Sequence, residues 1–346
     1  MVRLLAFLFC GAICGCAQSS DSVRRFARLT TQEWTAVQRG EVIAKTLETN
    51  QKRELAVAGV ARIQVSRGCF LEKFRDIETF KKSPLVLQIG KFSTPVNARN
   101  LARLTLDAKD ANALRDCEVG SCSVKVPLKV VLRLANRAES LGMAYSMVAN
   151  SVFREELVSY IQRYFSEGDP ALIEYRNKDN PVRLSAEFHS MLTGWAELNE
   201  LAPEFCDFLI QSPQQVLPKV EEFLYWSKES FGLKPVISVT HVSIDQLPDQ
   251  AWIASKQIYA SHYFDTSLAI TLVADDPTEL ARGSSIYLAY VNRSRIDLLG
   301  GIFGAFKRHL VRGRLEDGMR KNLRETVTKL ESSCESGTSV SQIGRQ

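Results

Sequence analysis

His262 stands in the densest β-forming stretch of the chain, and Lys256, Tyr259, Tyr263 and Asp265 beside it supply the residue types of an acid/base set. Imidazole changes charge near neutral pH, a carboxylate can orient it, and lysine or tyrosine can pass it a proton. If one strand runs unbroken from Lys256 to Leu272, then Ile258, Ala260, His262, Phe264, Leu268 and Ile270 share a face, because strand side chains alternate. His262 and Phe264 would then line the apolar side of a sheet as ligand contacts. The plainer reading is a core histidine satisfied by a neighbouring tyrosine or aspartate, with the strand tyrosines serving packing.

His241 lies on the preceding strand and shares its face with Ile237 and Val239, so the two histidines could meet across a cavity. A one-residue slip of register reverses that placement. As a metal pair they lack a third ligand, since Asp265 falls on the face opposite His262; no metal and no cofactor is assigned. Tyr290 and Arg293, in YLAYVNRSR, complete the ligand-binding candidates. Arg293 and Arg295 could hold an anionic headgroup or, equally, pair with Asp297 or Glu316. No nucleophile elbow, phosphate loop, dinucleotide glycine pattern or zinc-protease signature occurs, and Gly300, Gly301 and Gly304 read as the start of a helix.

These residues need strands to hold them. Phe223 to Leu272 reads as an antiparallel meander broken at Phe231-Gly232, at Leu247-Pro248-Asp249 and near Asp265. Earlier in the chain, Glu41 to Leu47 and Leu55 to Val65 form a hairpin turning at Thr49-Asn50-Gln51. Phe70, Leu71, Phe74, Ile77 and Phe80 follow at helical spacing, ended by Pro84. Leu85 to Ile89 and Leu101 to Leu106 read as further strands. Residues 125–212 change to a helical period: Phe153, Leu157, Ile161 and Phe165 make one stripe, and Leu184, Phe188, Met191, Leu192, Trp195 and Leu198 another. After the strand Ser285 to Arg293 a long helix runs from Ile296 to Glu331, with Gly313 as a point of bending. Ser19 to Arg28 is expected as a polar tether, and the Ser/Gly-rich residues from Ser332 onward as a disordered tail.

That order of elements resembles a START-like, or helix-grip, domain. The resemblance implies an α+β fold in which a curved antiparallel sheet wraps the C-terminal helix, here with an inserted helical block. FLYWSKESFGLKPVISVTHV, SKQIYASHYFDTSL and YLAYVNRSR also resemble stretches of a family of exported bacterial proteins that carries no assigned activity. The layout expected is 1–17 signal peptide, 18–34 tether, 35–124 and 213–331 the two parts of the START-like domain, 125–212 the helical insertion and 332–346 the tail. START-like folds carry hydrophobic ligands more often than they catalyse.

Composition bounds the remaining choices. With 346 residues, 45% hydrophobic and 24% charged, the chain is an ordinary globular sequence, and a formal charge of +5 is too small an excess to imply nucleic acid. Arg3, the apolar run Leu4 to Cys14 and Gly15-Cys16-Ala17 have the form of a secretory leader. Cleavage after Ala17 and lipid attachment at Cys16, in a tetrad resembling a lipobox, both fit, so the protein is expected in the periplasm or anchored to a bacterial envelope. Export makes pairing of Cys117 with Cys122 in CEVGSC the expected disulfide. Cys69 and Cys206 sit in apolar helical patterns and read as buried free thiols. The first part of the last helix, LLGGIFGAFKRHLVRGR, has apolar and basic faces: it either covers the sheet or meets an anionic membrane surface.

The leading expectation is an exported, non-catalytic binding protein for a hydrophobic or amphipathic, lipid-like ligand. The alternatives are an envelope hydrolase with His262 as general base, and an interaction or scaffold protein docking through aromatics of the helical block such as Trp195.

Overall fold

The strands carry apolar side chains on alternating positions of both faces, and the fold covers both. The computed structural model describes residues 20–135, 145–211, 219–230, 233–278, 285–297 and 304–343; for 304–311 and 335–343 it describes the backbone. The leader with Cys16, the expected break at Phe231-Gly232 and the expected helix entry at Gly300-Gly301 lie outside these residues.

In chain order the elements are a short helix α1 (20–26), α2 (Thr31–Gln38), β1 (Ile43–Leu47), β2 (Glu54–Ile63), α3 (Arg67–Arg75), α4 (Ile77–Phe80) and β3 (Val86–Lys91). The helical block follows: α5 (Ala108–Ala113), α6 (Leu128–Leu134), α7 (Tyr145–Glu167), the two-residue strands β4 (Glu174–Tyr175) and β5 (Val182–Arg183), then α8 (Leu184–Thr193), α9 (Ala196–Leu201) and α10 (Pro203–Gln211). The meander β6 (Val220–Glu229), β7 (Val236–Gln246), β8 (Gln250–Ala260), β9 (Phe264–Asp275) and β10 (Ile286–Ile296) leads to the terminal helix α11 (Gly304–Ile343). The protein is therefore α+β. Its main sheet has eight antiparallel strands in the order β1-β2-β10-β9-β8-β7-β6-β3.

On β10, Tyr287, Ala289 and Val291 face the helical block, whereas Ile286, Leu288 and Tyr290 face α3, α4 and α11. This two-sided burial is why β2 and β7 are buried along nearly their whole length rather than at every second position. α11 packs against β1, β2 and α3. It approaches β2 closely at Gly59, where an added Cβ would lie 3.0 Å from Met319 Cγ and 3.2 Å from Leu323 Cδ2.

Both free edges of the sheet are closed by side chains. On β1, the Thr46 amide donates to Glu316 Oε1 at 2.8 Å and Arg320 donates to the Ala44 carbonyl at 3.3 Å, both partners coming from α11. On β3, the Lys91 amide donates to Glu78 Oε1 at 2.8 Å and Arg103 donates to the Ile89 carbonyl at 3.2 Å. An acid and a base at each edge thus occupy backbone groups that would otherwise template another strand.

The structure corrects the sequence reading at several points. The expected tether contains α1, whose Val23 and Phe26 are buried together with Ala27 just beyond its end. Leu101 to Leu106 is no strand: Asn97 caps a 3-10 turn over Ala98–Leu101, and Leu101 and Leu104 enter the core of the helical block, which begins well before residue 125. On α7 the buried face passes from Phe153 and Leu157 to Ile161 and Tyr164 and leaves Phe165 46% exposed. A four-residue spacing drifts off a 3.6-residue helix, so the fourth member of that stripe rotates into water. The expected tail continues α11 to Ile343. Cys69 is no free thiol: it is bonded to Cys334, 265 residues away in sequence, and joins α3 to α11. Cys117 pairs with Cys122, and Cys206 is a buried free thiol.

A cross-link closing so long a loop restricts the unfolded chain strongly. Cys334→Ser should cost about 2–5 kcal/mol of unfolding free energy, read as a fall in the urea midpoint under non-reducing conditions. An unchanged midpoint would mean that α11 is held by its packing alone.

Candidate functional site

The supposed single strand Lys256 to Leu272 is two strands, β8 and β9, turning at 261–263. The turn forces Tyr263 to φ 59°, a left-handed conformation unusual for a residue with a side chain. His262 therefore occupies the turn rather than an apolar strand face. Its Nε2 lies 2.8 Å from Asp110 Oδ2, contributed by α5, and Lys234 Nζ donates to the other Asp110 oxygen at 3.3 Å. Tyr263 Oη accepts from the Lys234 amide at 3.0 Å. Phe264, half-buried, opens β9 immediately after this turn.

His241 does face the helical block, as its alternation with Ile237 and Val239 implies. Tyr164 Oη from α7 lies 2.9 Å from its Nδ1. Its Nε2 sits 3.1 Å from Glu222 Oε1 without hydrogen-bond alignment. Next to it on β8, Lys256 is buried and donates to both Asp169 oxygens, at 2.5 and 2.7 Å. Burial pulls Lys256 below the ordinary lysine range against the opposing Asp169 carboxylate.

Tyr290 is on the opposite face, near Lys81, Tyr225 and Glu229, and burial pushes its hydroxyl up to about 12. Arg293 points to the helical-block side and donates to the buried Glu54 at 2.7 Å. Its guanidinium also lies 5.1 Å from the centre of the Trp195 ring. The structure thus spreads the expected ligand contacts His241, His262, Phe264, Tyr290 and Arg293 over both faces and one end of the sheet. Trp195, expected as a surface aromatic, is 2% exposed and stacks on Phe26.

Around Arg293 runs a belt of ion pairs that the sequence did not reveal. Arg295 bridges Glu54 at 3.1 Å and Glu187 at 2.7 Å, so neither arginine uses the expected partners Asp297 and Glu316. Arg53 reaches Asp265 at 2.6 Å and lies 3.6 Å from Glu187. Lys125 then joins Asp265 at 2.9 Å to Asp297 at 3.1 Å. Signals for these groups existed only as isolated charges in apolar surroundings, such as Lys125 in Val124-Lys125-Val126 and Glu54 at the head of β2.

Beside this belt, sharing Glu54 with it, a cleft of about 420 Å³ opens between the β1–β2 turn and α11, lined by Thr46 to Lys52, Glu54 to Ala56, and Arg312. Arg312 donates to Glu48 at 3.2 Å across it. The cleft lies toward the N-terminal half of α11, away from the Cys69–Cys334 bond. Among the described residues no helix is long and apolar enough to cross a membrane. Comparison with protein-family models, curated proteins and solved structures finds no match to the chain.

The His262 pair makes a pH dependence measurable. Burial works to raise the Asp110 carboxyl, but hydrogen bonding and charge from His262, then Lys234, hold it below its usual value. A depressed folded value adds stability that is present above the unfolded carboxylate range and lost as pH falls through the folded value. His262→Asn should lower stability near neutral pH by about 1–3 kcal/mol. It should also flatten the acid limb of the stability curve. Urea unfolding at neutral and acidic pH tests this, and parallel curves for the two proteins would show that His262 does not hold Asp110 ionised.

Proposed function

We propose that this protein is an exported, non-catalytic binding protein for an amphipathic, lipid-like ligand whose polar end occupies the cleft between the β1–β2 turn and α11. The cleft carries the reading: its volume of about 420 Å³ suits a small ligand, and Arg312 in its polar lining could exchange its exposed partner Glu48 for an anionic headgroup. The helix-grip order of a large antiparallel sheet and a final helix adds support by analogy. So does the disulfide at the far end of α11, which anchors that end and makes the cleft end the natural point of access. The leader-like N-terminus supports export, with lipid attachment at Cys16 as one processing route. On the outer face of α11, exposed Arg314, Lys321 and Arg324 outnumber the exposed Asp317 and Glu325, a small basic excess toward an anionic membrane surface.

Delipidated protein should take up a fluorescent fatty acid with saturable stoichiometry, and Arg312→Glu should weaken that uptake about tenfold, or roughly 1.4 kcal/mol, while leaving a neutral analogue unaffected. No saturation across a panel of acyl chains and headgroups would sink the reading.

A second reading, an envelope hydrolase, is favoured by one feature, the His262–Asp110 pair beside the left-handed Tyr263. On that reading, His262→Ala abolishes turnover of small esters or amides without loss of folding. Turnover that persists in His262→Ala removes His262 as the base.

A further inference from the structure

Lys125 differs from the other buried lysines in the company it keeps. It is 3% exposed and lies on the segment between the Cys117–Cys122 loop and α6, with its amide donating to the Ser261 carbonyl at 2.8 Å. Its Nζ donates to the Phe264 carbonyl at 2.7 Å and to Asp265 Oδ1 at 2.9 Å, and lies 3.1 Å from Asp297 Oδ2. The Tyr175 ring covers it at 4.8 Å. Asp265 is 2% exposed, and its second oxygen accepts from Arg53 at 2.6 Å. The Lys125 ammonium thus stands between two carboxyl groups, 2.9 Å from one and 3.1 Å from the other.

We propose that Lys125 and Asp265 condense spontaneously into an isopeptide bond, with Asp297 carrying the proton between them. The step needs no cofactor or oxidant. Asp297 takes a proton from the Lys125 ammonium; the freed amine lone pair attacks the Asp265 carboxyl carbon, forming the C–N bond. Asp297 returns that proton to the departing hydroxyl, the C–O bond breaks and one water leaves, while the surplus proton on the new amide nitrogen passes to Asp297. The sum is an ammonium, the Asp265 acid and the Asp297 carboxylate becoming an amide, one water and a protonated Asp297.

Each neighbour has a part in that chemistry. Burial and the Asp297 hydrogen bond push Asp265 up to about 6, which favours the protonated acid that an amine can attack. Burial would also raise Asp297, but its hydrogen bond with Asp265 and the charges of Lys125 and Lys178 hold it lower, as a proton acceptor requires. Arg53 is placed to stabilise the oxyanion of the tetrahedral intermediate. Fixing amine and acid at contact distance replaces a bimolecular encounter by an intramolecular one, and excluding water slows the reverse hydrolysis. The Lys256–Asp169 pair is as close but holds one lysine with both oxygens of one carboxylate, and no second carboxyl bonds to that acid among the described residues. It should remain an ion pair and serves as an internal control.

The product would tie the helical block to the start of β9, far from the Cys69–Cys334 bond. This inference is independent of the ligand reading and stands or falls without it.

The test is mass spectrometry of the full chain as purified, reduced and denatured, followed by tryptic mapping. The expected result is a branched peptide containing Lys125 and Asp265, lighter by one water, with no cleavage after Lys125. Lys125→Arg and Asp297→Asn should restore the full mass of those peptides. The wild-type map decides the matter whether or not a variant folds. Unlinked Lys125 and Asp265 peptides, or a loss of water mapping to Lys256 and Asp169, would overturn the proposal. An undiminished branched peptide in Asp297→Asn would overturn the role given to Asp297.

Discussion

A sheet that is apolar on both faces has no side to give to water, and the rest of this protein is arranged to meet that constraint. The helical block covers one face, and α3, α4 and α11 cover the other. Once both are covered, any charge on the sheet is cut off from solvent and must find its partner inside. Glu54 illustrates this: its carboxylate, at the head of β2, is answered by Arg293 and Arg295 from the neighbouring strand. Removing either partner would leave a buried charge uncompensated, so such groups act as fixed links between layers.

These links gather at one end of the sheet. The starts of β2 and β9 and the end of β10 lie together there, and Arg53, Asp265, Arg293, Arg295 and Asp297 come from them. Glu187 from α8 and Lys125 from the segment before α6 complete the belt. The belt orients the helical block on the sheet as apolar contact alone would not, because ion pairs have direction and hydrophobic packing does not. The other end of the layered structure is tied differently. There a disulfide joins α3 to α11, and the Gln64 amide donates to Glu331 of α11 at 3.0 Å.

The cleft beside Arg312 lies at the margin of this arrangement, where the β1–β2 turn leaves α11. It is polar, whereas the layer beyond it is dry and tightly packed around Gly59.

The sequence by itself determined most of the strands, the α3–α4 segment, most of the two helical stripes and the presence of a terminal helix, because a period of two or of 3.6 is written locally in side-chain type. It also determined the short Cys117–Cys122 clip, whose partners are only five residues apart. Only the tertiary structure decided which face His241 and Tyr290 occupy, since that follows from register and from what covers each side. It likewise decided that His262 sits in a turn facing Asp110, that Arg293 is held by Glu54, and that Cys69 finds Cys334. Those partners are separated by 152, 239 and 265 residues, and nothing local in a chain records which distant residue folding will bring to it.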